Sequence, residues 1–292
     1  MRKNHFKVWR YNFFSNTVKN KSNSNFIKIF LMVFTIVVFC TSVNATLISV
    51  FSNPANGWTQ FAEEDLVGSG GFYVGPGWGG QKFDAEYLLY QLNGNTLSIG
   101  LQTGFNLKRG RQWIGGVKYF AGDLALSFDG DITGIGGSGY EYAVDFGLKT
   151  KDWGGHKVGN NPLSGIDDAG LYSGITWNND ILFSESAPFA MDSGTLIADA
   201  LQENNWGKEG SGANKSYYRI VSFDISGISE ITPGEDFTVN AHWTMSCGND
   251  AIDGSFTATA VPEPTTVALL GIGLVGLAGA ALRRKLKMMK QQ

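Results

Sequence analysis

The sequence predicts an all-β protein: a single antiparallel sandwich or jelly-roll-like domain, preceded by an N-terminal signal helix and followed by a C-terminal transmembrane helix. Three observations carry this. Thirty-nine glycines, 13% aromatics and only seven prolines suit strands joined by many turns. Glycine is costly inside a helix, and aromatic rings fit a half-buried pleated face. Apolar residues in the middle of the chain alternate with a period of two, the side-chain period of a strand. The two long apolar runs lie instead near the two termini, each beside a basic cluster. No fixed repeat is visible, which disfavours a propeller or solenoid.

Residues 1–45 read as a signal peptide. A basic, Asn-rich stretch from Met1 to Lys28 leads into an apolar run that ends at Cys40, and Thr41-Ser-Val-Asn-Ala45 follows. Val43 and Ala45 supply the small residues for cleavage by signal peptidase between Ala45 and Thr46, after passage through the Sec machinery. The apolar run of about 12 residues after Lys28 is short for a permanent anchor. Phe39, directly before Cys40, rules out a lipoprotein signal. With the leader removed, Cys247 is the one cysteine left, so no internal disulfide can form.

Residues 46–260 form the exported acidic β domain. Seven Lys/Arg fall in residues 1–28 and five in the last ten, which leaves eleven between Thr46 and Val261 against 25 acids, a formal charge of −14. Such a body repels nucleic acid and anionic lipid and favours cations or cationic partners. Tyr87 to Phe105 reads as a hairpin turning around Asn93-Gly94, where Asn-Gly provides the positive φ of a tight turn. Further strands are expected at Leu124 to Phe128, Tyr140 to Leu148, Tyr217 to Ile225 and Phe237 to Cys247. One short surface helix is expected over Thr195 to Glu203, capped by Asp192 or Ser193, with Leu196, Ala200 and Leu201 on one face.

Few constellations in this domain point to chemistry. Gly75-Pro-Gly-Trp-Gly-Gly80 satisfies G-x-G-x-x-G, but a strand-like, aromatic segment follows it where a dinucleotide site needs a helix. In Ala241-His-Trp-Thr-Met-Ser-Cys247, alternation puts Trp243, Met245 and Cys247 on the core face with Phe237 and Val239, and turns His242 outward. A Cys–His dyad is then out of reach. Asp129 and Asp131, and Asp250 and Asp253, place oxygen ligands in turns, where calcium is the one metal they would suit; no other cofactor is expected. Tryptophans at 58, 78, 113, 153, 177 and 206 mostly stand in Gly/Asn-rich surroundings rather than strand patterns. Of these, Trp78, Trp153 and Trp177 are candidate sugar-stacking faces, the alternative being loop anchors on the core. With 25 acids in the domain, no glycosidase carboxylate pair can be singled out.

Residues 261–287 carry Pro262-Glu-Pro264, then 16 uncharged residues from Val267 to Leu282, then Arg283, Arg284, Lys285 and Lys287; residues 288–292 form a short cytoplasmic tail. As a helix at about 1.5 Å per residue the apolar run falls short of a hydrocarbon core of about 30 Å, so it spans only marginally. The basic cluster holds its end on the cytoplasmic side of the inner membrane. Two prolines keep the preceding peptide extended and accessible. Val261 to Lys285 resembles the PEP-CTERM sorting signal of exported bacterial proteins. The resemblance implies recognition of Pro262, Glu263 and Pro264 by an exosortase, an integral-membrane cysteine transpeptidase-like enzyme, with cleavage nearby and only transient residence in the inner membrane. It also implies a Gram-negative, exopolysaccharide-producing setting. Gly122 to Phe128, Tyr140 to Gly147, Glu185 to Asp192 and Ala241 to Asp250 resemble segments of one group of PEP-CTERM surface proteins, which lends the domain no activity. The expectation is a non-enzymatic, exopolysaccharide-associated protein of the envelope or biofilm matrix. A polysaccharide-active hydrolase and an adhesive or structural surface protein stand as alternatives.

Overall fold

The computed structural model describes residues 45–64, 79–130, 132, 139–148, 168–201, 205–260, 272–279 and 283. All of them belong to one compact unit, Ser42–Gln292. The strands are β1 (Thr59–Glu63), β2 (Ala85–Asn93), β3 (Thr96–Thr103), β4 (Arg111–Ile114), β5 (Val117–Phe120), β6 (Leu124–Ser127), β7 (Tyr142–Asp145), β8 (Gly170–Asn178), β9 (Ala190–Asp199), β10 (Trp206–Glu209), β11 (Ser216–Asp224), β12 (Asp236–Thr244) and β13 (Ala251–Thr259). Their pairings are antiparallel throughout. One sheet has the order β1-β2-β3-β11-β10 and another β13-β12-β6-β7-β8-β9, while β4 and β5 form a separate hairpin. The described residues form mostly antiparallel β-sheet with few helices, consistent with the all-β class that the composition predicts.

The two large sheets share one core. Leu88, Leu97, Ile99 and Leu101 from the first sheet and Leu124, Val144, Val239 and Trp243 from the second belong to a single cluster of buried side chains. Phe256 of β13 stacks on Tyr90 of β2 with centroids 3.8 Å apart, and meets Phe61 of β1 edge-on at 4.9 Å. Offset and edge-on ring contacts add to the area that burial removes from water. A second, smaller cluster lies elsewhere: Ile48 and Phe51, around a one-turn helix α1 (Ser49–Ser52), bury against Tyr87, Leu89 and Ile220. The Gln102 side chain fixes this N-terminal strap by accepting from the Ile48 N–H at 3.0 Å and donating to the Thr46 carbonyl at 3.0 Å.

Several sequence expectations need correction. The β2–β3 hairpin pairs Asn93 with Thr96, so its two loop residues are Gly94 and Asn95, one position later than expected, with Gly94 at φ 60°. Thr195 to Asp199, expected in a helix, is the end of β9: Thr195 pairs with Ser173 and Leu196 with Tyr172 of β8. A segment of good helix formers is held extended here because β8 offers a ladder of backbone partners, and tertiary pairing outweighs intrinsic propensity. Trp113, Trp177 and Trp206 stand in β4, β8 and β10, not in loops. Finally, β12 ends at Thr244, earlier than the strand expected to reach Cys247, yet Phe237, Val239 and Trp243 from it and Met245 and Cys247 just beyond it all lie in the core. His242, however, does not face solvent. It is 5% exposed, with Nδ1 2.7 Å from Asp253 Oδ1 and Nε2 2.9 Å from the Ser186 carbonyl, because the turn Ser184–Ser186 covers that face.

Residues 272–279 are helical and expose Ile272, Leu274, Val275 and Leu277. Among the described residues no helix is long and apolar enough to cross a membrane.

Candidate functional site

Two charged features stand out. The first is acidic. Glu64 directly follows β1, Asp84 directly precedes β2 and Asp250 directly precedes β13, so three strand ends bring three carboxylates together, with one oxygen of each within 4.8 Å of the others. Asp84 and Asp250 are buried, and Glu64 is half-buried. Asp250 is rigidly placed: Oδ2 accepts from the Ala85 N–H at 2.8 Å, Oδ1 from the Ala251 N–H at 3.0 Å, and its carbonyl from Thr244 Oγ1 at 2.6 Å. The Asp84 carbonyl accepts from Thr103 Oγ1 at 2.6 Å and from the Gly104 N–H at 2.9 Å. Burial, and then the Glu64 carboxylate beside it, push the Asp250 carboxyl far above the ordinary carboxylate range, and Asp250 shares a hydrogen bond with Glu64. Such a group coexists only by holding protons between its members or by surrounding a cation with oxygen ligands.

The second feature is cationic. A cavity of about 830 Å³ is lined by Lys108, Arg109, Arg111, Lys118 and Arg219, together with the indole of Trp113. Five of the eleven basic residues of a −14 domain are thereby gathered in one place. The β4–β5 hairpin forms one wall of it, with Arg111, Trp113 and Lys118. Gly115 and Gly116, at φ 58° and 83°, form a two-residue turn that demands positive φ at both positions and sets Trp113 opposite Lys118. Arg111, two residues before Trp113, lies on the same face of the strand. Arg219 enters from β11 and is 5% exposed; its Nη1 donates to the Phe146 carbonyl at 2.7 Å and its Nε to the Leu107 carbonyl at 3.3 Å. Burial lowers its pKa, and the buried Asp145 carboxylate opposes that shift. Asp145 Oδ1 in turn accepts from the Gly147 N–H at 2.6 Å and so shapes the turn at the cavity wall.

The sequence-predicted residues are scattered over this frame. Asp250 belongs to the acidic group; Asp253 lies at His242 instead, with a side chain 69% exposed. Asp129 accepts from Ser127 Oγ at 2.9 Å at the end of β6. Asp131, Trp78 and Trp153 lie outside the described residues, as do Pro262, Glu263, Pro264, Arg284 and Lys285; Arg283 is helical and exposed. Trp177 is half-buried, donates from Nε1 to the Tyr140 carbonyl at 3.1 Å, and packs on Ala143, Tyr172 and Met191, which makes it an anchor rather than an open face. Ala45 and Thr46 begin the N-terminal strap, where the Ala45 carbonyl accepts from the Tyr87 hydroxyl at 2.9 Å. His242 and Cys247 do not meet: the Cys247 thiol donates to Asn249 Oδ1, and burial pushes its pKa up to about 12, so no thiolate stands ready at neutral pH.

Sequence reasoning passed over the cationic cavity. Its signals were the run Lys108-Arg-Gly-Arg111, dense for so acidic a domain, and Gly115-Gly116 between two short β-prone stretches. The acidic group carries no local signal, since its members come from three separate strand ends.

No curated protein and no solved structure matches the chain. The model of the PEP-CTERM protein-sorting motif, however, matches residues 260–285. Residues 260–285 of the chain therefore carry a PEP-CTERM protein-sorting motif, and the motif implies an exosortase as processing partner, with export and membrane-associated sorting toward the cell surface.

Proposed function

We propose that this is a non-enzymatic, glycan-associated protein of the cell envelope or exopolysaccharide matrix. The observation that supports it is the sorting motif at residues 260–285 joined to an acidic antiparallel β domain. In this reading the signal helix within residues 1–45 directs export and is removed before Thr46, which leaves the strap of Ile48 and Phe51 in the mature chain to close the second hydrophobic cluster. Residues 267–282 then hold the chain in the inner membrane for a time, with Arg283, Arg284 and Lys285 on the cytoplasmic side. The exposed apolar side chains of Ile272, Leu274, Val275 and Leu277 suit that surrounding. The exosortase reads Pro262, Glu263 and Pro264 and releases the domain to the surface. Asp84 and Asp250 are too buried to reach a polysaccharide chain, so the acidic group does not supply a hydrolytic carboxylate pair.

Deleting residues 262–292 should abolish the size shift of processing and remove the protein from the surface fraction, both read by immunoblot of fractionated cells. Unchanged processing and delivery would refute the sorting half. Failure of the purified full chain to sediment with the producer's own matrix polysaccharide would refute the glycan half. Release of reducing ends from that polysaccharide would establish a hydrolase instead.

A further inference from the structure

We propose that the cavity lined by Lys108, Arg109, Arg111, Lys118, Arg219 and Trp113 is the binding site for a saccharide that carries carboxylates, a uronate-containing segment of polysaccharide. This rests on the glycan-associated reading above and names the site and the ligand class within it. The chemistry of the lining selects the class. Guanidinium groups bind carboxylates through paired N–H donors, and Arg109 and Arg111 line the cavity beside Lys108 and Lys118, with the carbonyl-held Arg219 adding its charge from the buried side. Trp113 is 69% exposed at the mouth, on the same face of the hairpin as Lys118 and Arg111. An indole so presented offers a flat apolar surface to the C–H face of a sugar ring, while neighbouring cations take the ring's carboxylate. The volume of about 830 Å³ lies in the range of about 300–1,000 Å³ usual for small-ligand sites, enough for a short oligosaccharide segment and not for a folded partner.

Rigidity supports a site rather than a loose patch of surface charge. Arg219 is nearly inaccessible from outside and two of its N–H groups are held by the carbonyls of Phe146 and Leu107. Lys108 is steered by Trp206, with Nζ 4.7 Å from the ring centroid, and Lys118 by Phe120, also at 4.7 Å. The surrounding charge excludes the other common polyanion. Duplex nucleic acid presents a negative charge about every 1.7 Å and would carry its flanking phosphates across a domain of formal charge −14. A saccharide with carboxylates only at intervals can leave one or two of them in the cavity and present neutral hydroxyls elsewhere.

The test is calorimetric titration of the full chain, in mild detergent at low salt, with trigalacturonate, its neutral methyl ester, inorganic phosphate and a short DNA duplex. The expected result is binding of trigalacturonate alone, weakened as salt rises. The double variant Arg109→Glu/Lys118→Glu and the single variant Trp113→Ala should each weaken it by about tenfold or more. These side chains reach solvent or lie only half-buried, so the fold survives, which an unchanged circular dichroism spectrum will confirm. Equal binding of the methyl ester, or of phosphate or DNA, would overturn the carboxylated-saccharide assignment. Retention of trigalacturonate by the variants would overturn the site. If the chain sediments with matrix polysaccharide but ignores trigalacturonate, this inference fails and the broader proposal stands; if it binds neither, both fail.

Discussion

Replacing Trp243 by alanine should lower the unfolding free energy of the β domain by about 3–5 kcal/mol, the usual range for truncating a large buried aromatic. Trp243 is fully buried on β12 and belongs to the cluster that both large sheets share. Its Nε1 donates to the Gly122 carbonyl at 3.0 Å, so alanine both opens a cavity and leaves that acceptor without its indole partner. Relief by collapse is restricted, because the Gly122 backbone is already close to its neighbours: a Cβ there would stand 2.2 Å from the Phe189 carbonyl oxygen and 2.6 Å from that of Thr244. Trp243→Phe keeps most of the ring and loses the hydrogen bond, and should cost about 1–3 kcal/mol. Urea unfolding followed by near-UV circular dichroism measures both. A loss below about 1 kcal/mol for alanine would mean that the sheets do not depend on this shared core.

That core was legible in advance because alternation is a local property. The alternation from Phe237 to Cys247 identifies five core positions, Phe237, Val239, Trp243, Met245 and Cys247, all of which are buried in the shared core, and the β2–β3 hairpin turn lies only one residue later than expected. What failed depended on distant partners. Thr195 to Asp199 has the composition of a helix and becomes a strand because β8 pairs with it. His242 points away from the core as alternation requires, yet it is buried, since a turn 56 residues earlier in the chain closes over it. The charged features follow the same division. Four of the five cavity cations lie within Lys108 to Lys118 and could have been noticed together; Arg219 joins them only through the sheet that sets β11 beside β3. Net charge was the misleading quantity: −14 describes the domain average and hides a cationic cavity within it.

The acidic group should make the domain less stable as the pH rises. Asp250 holds its proton more tightly in the folded chain than an ordinary aspartate does, because of burial and the adjoining Glu64 carboxylate. Between the unfolded value near 4 and the raised folded value, the folded state therefore binds the extra proton, and stability is lost with increasing pH by up to about 1.4 kcal/mol per unit. Unfolding in urea at a series of pH values from 5 to about 8.5 should show that decline. Glu64→Gln removes the nearest charge and supplies an amide donor to Asp250, so it should raise stability at the alkaline end and flatten the profile. A wild-type profile as flat as that of the variant would refute the shared-proton arrangement. Calcium separates the two ways such a group can exist. Millimolar calcium that restores the wild type at high pH, and leaves Glu64→Gln unchanged, would show the three carboxylates acting as oxygen ligands to the ion. No effect of calcium, with the pH decline intact, would show them held together by protons alone.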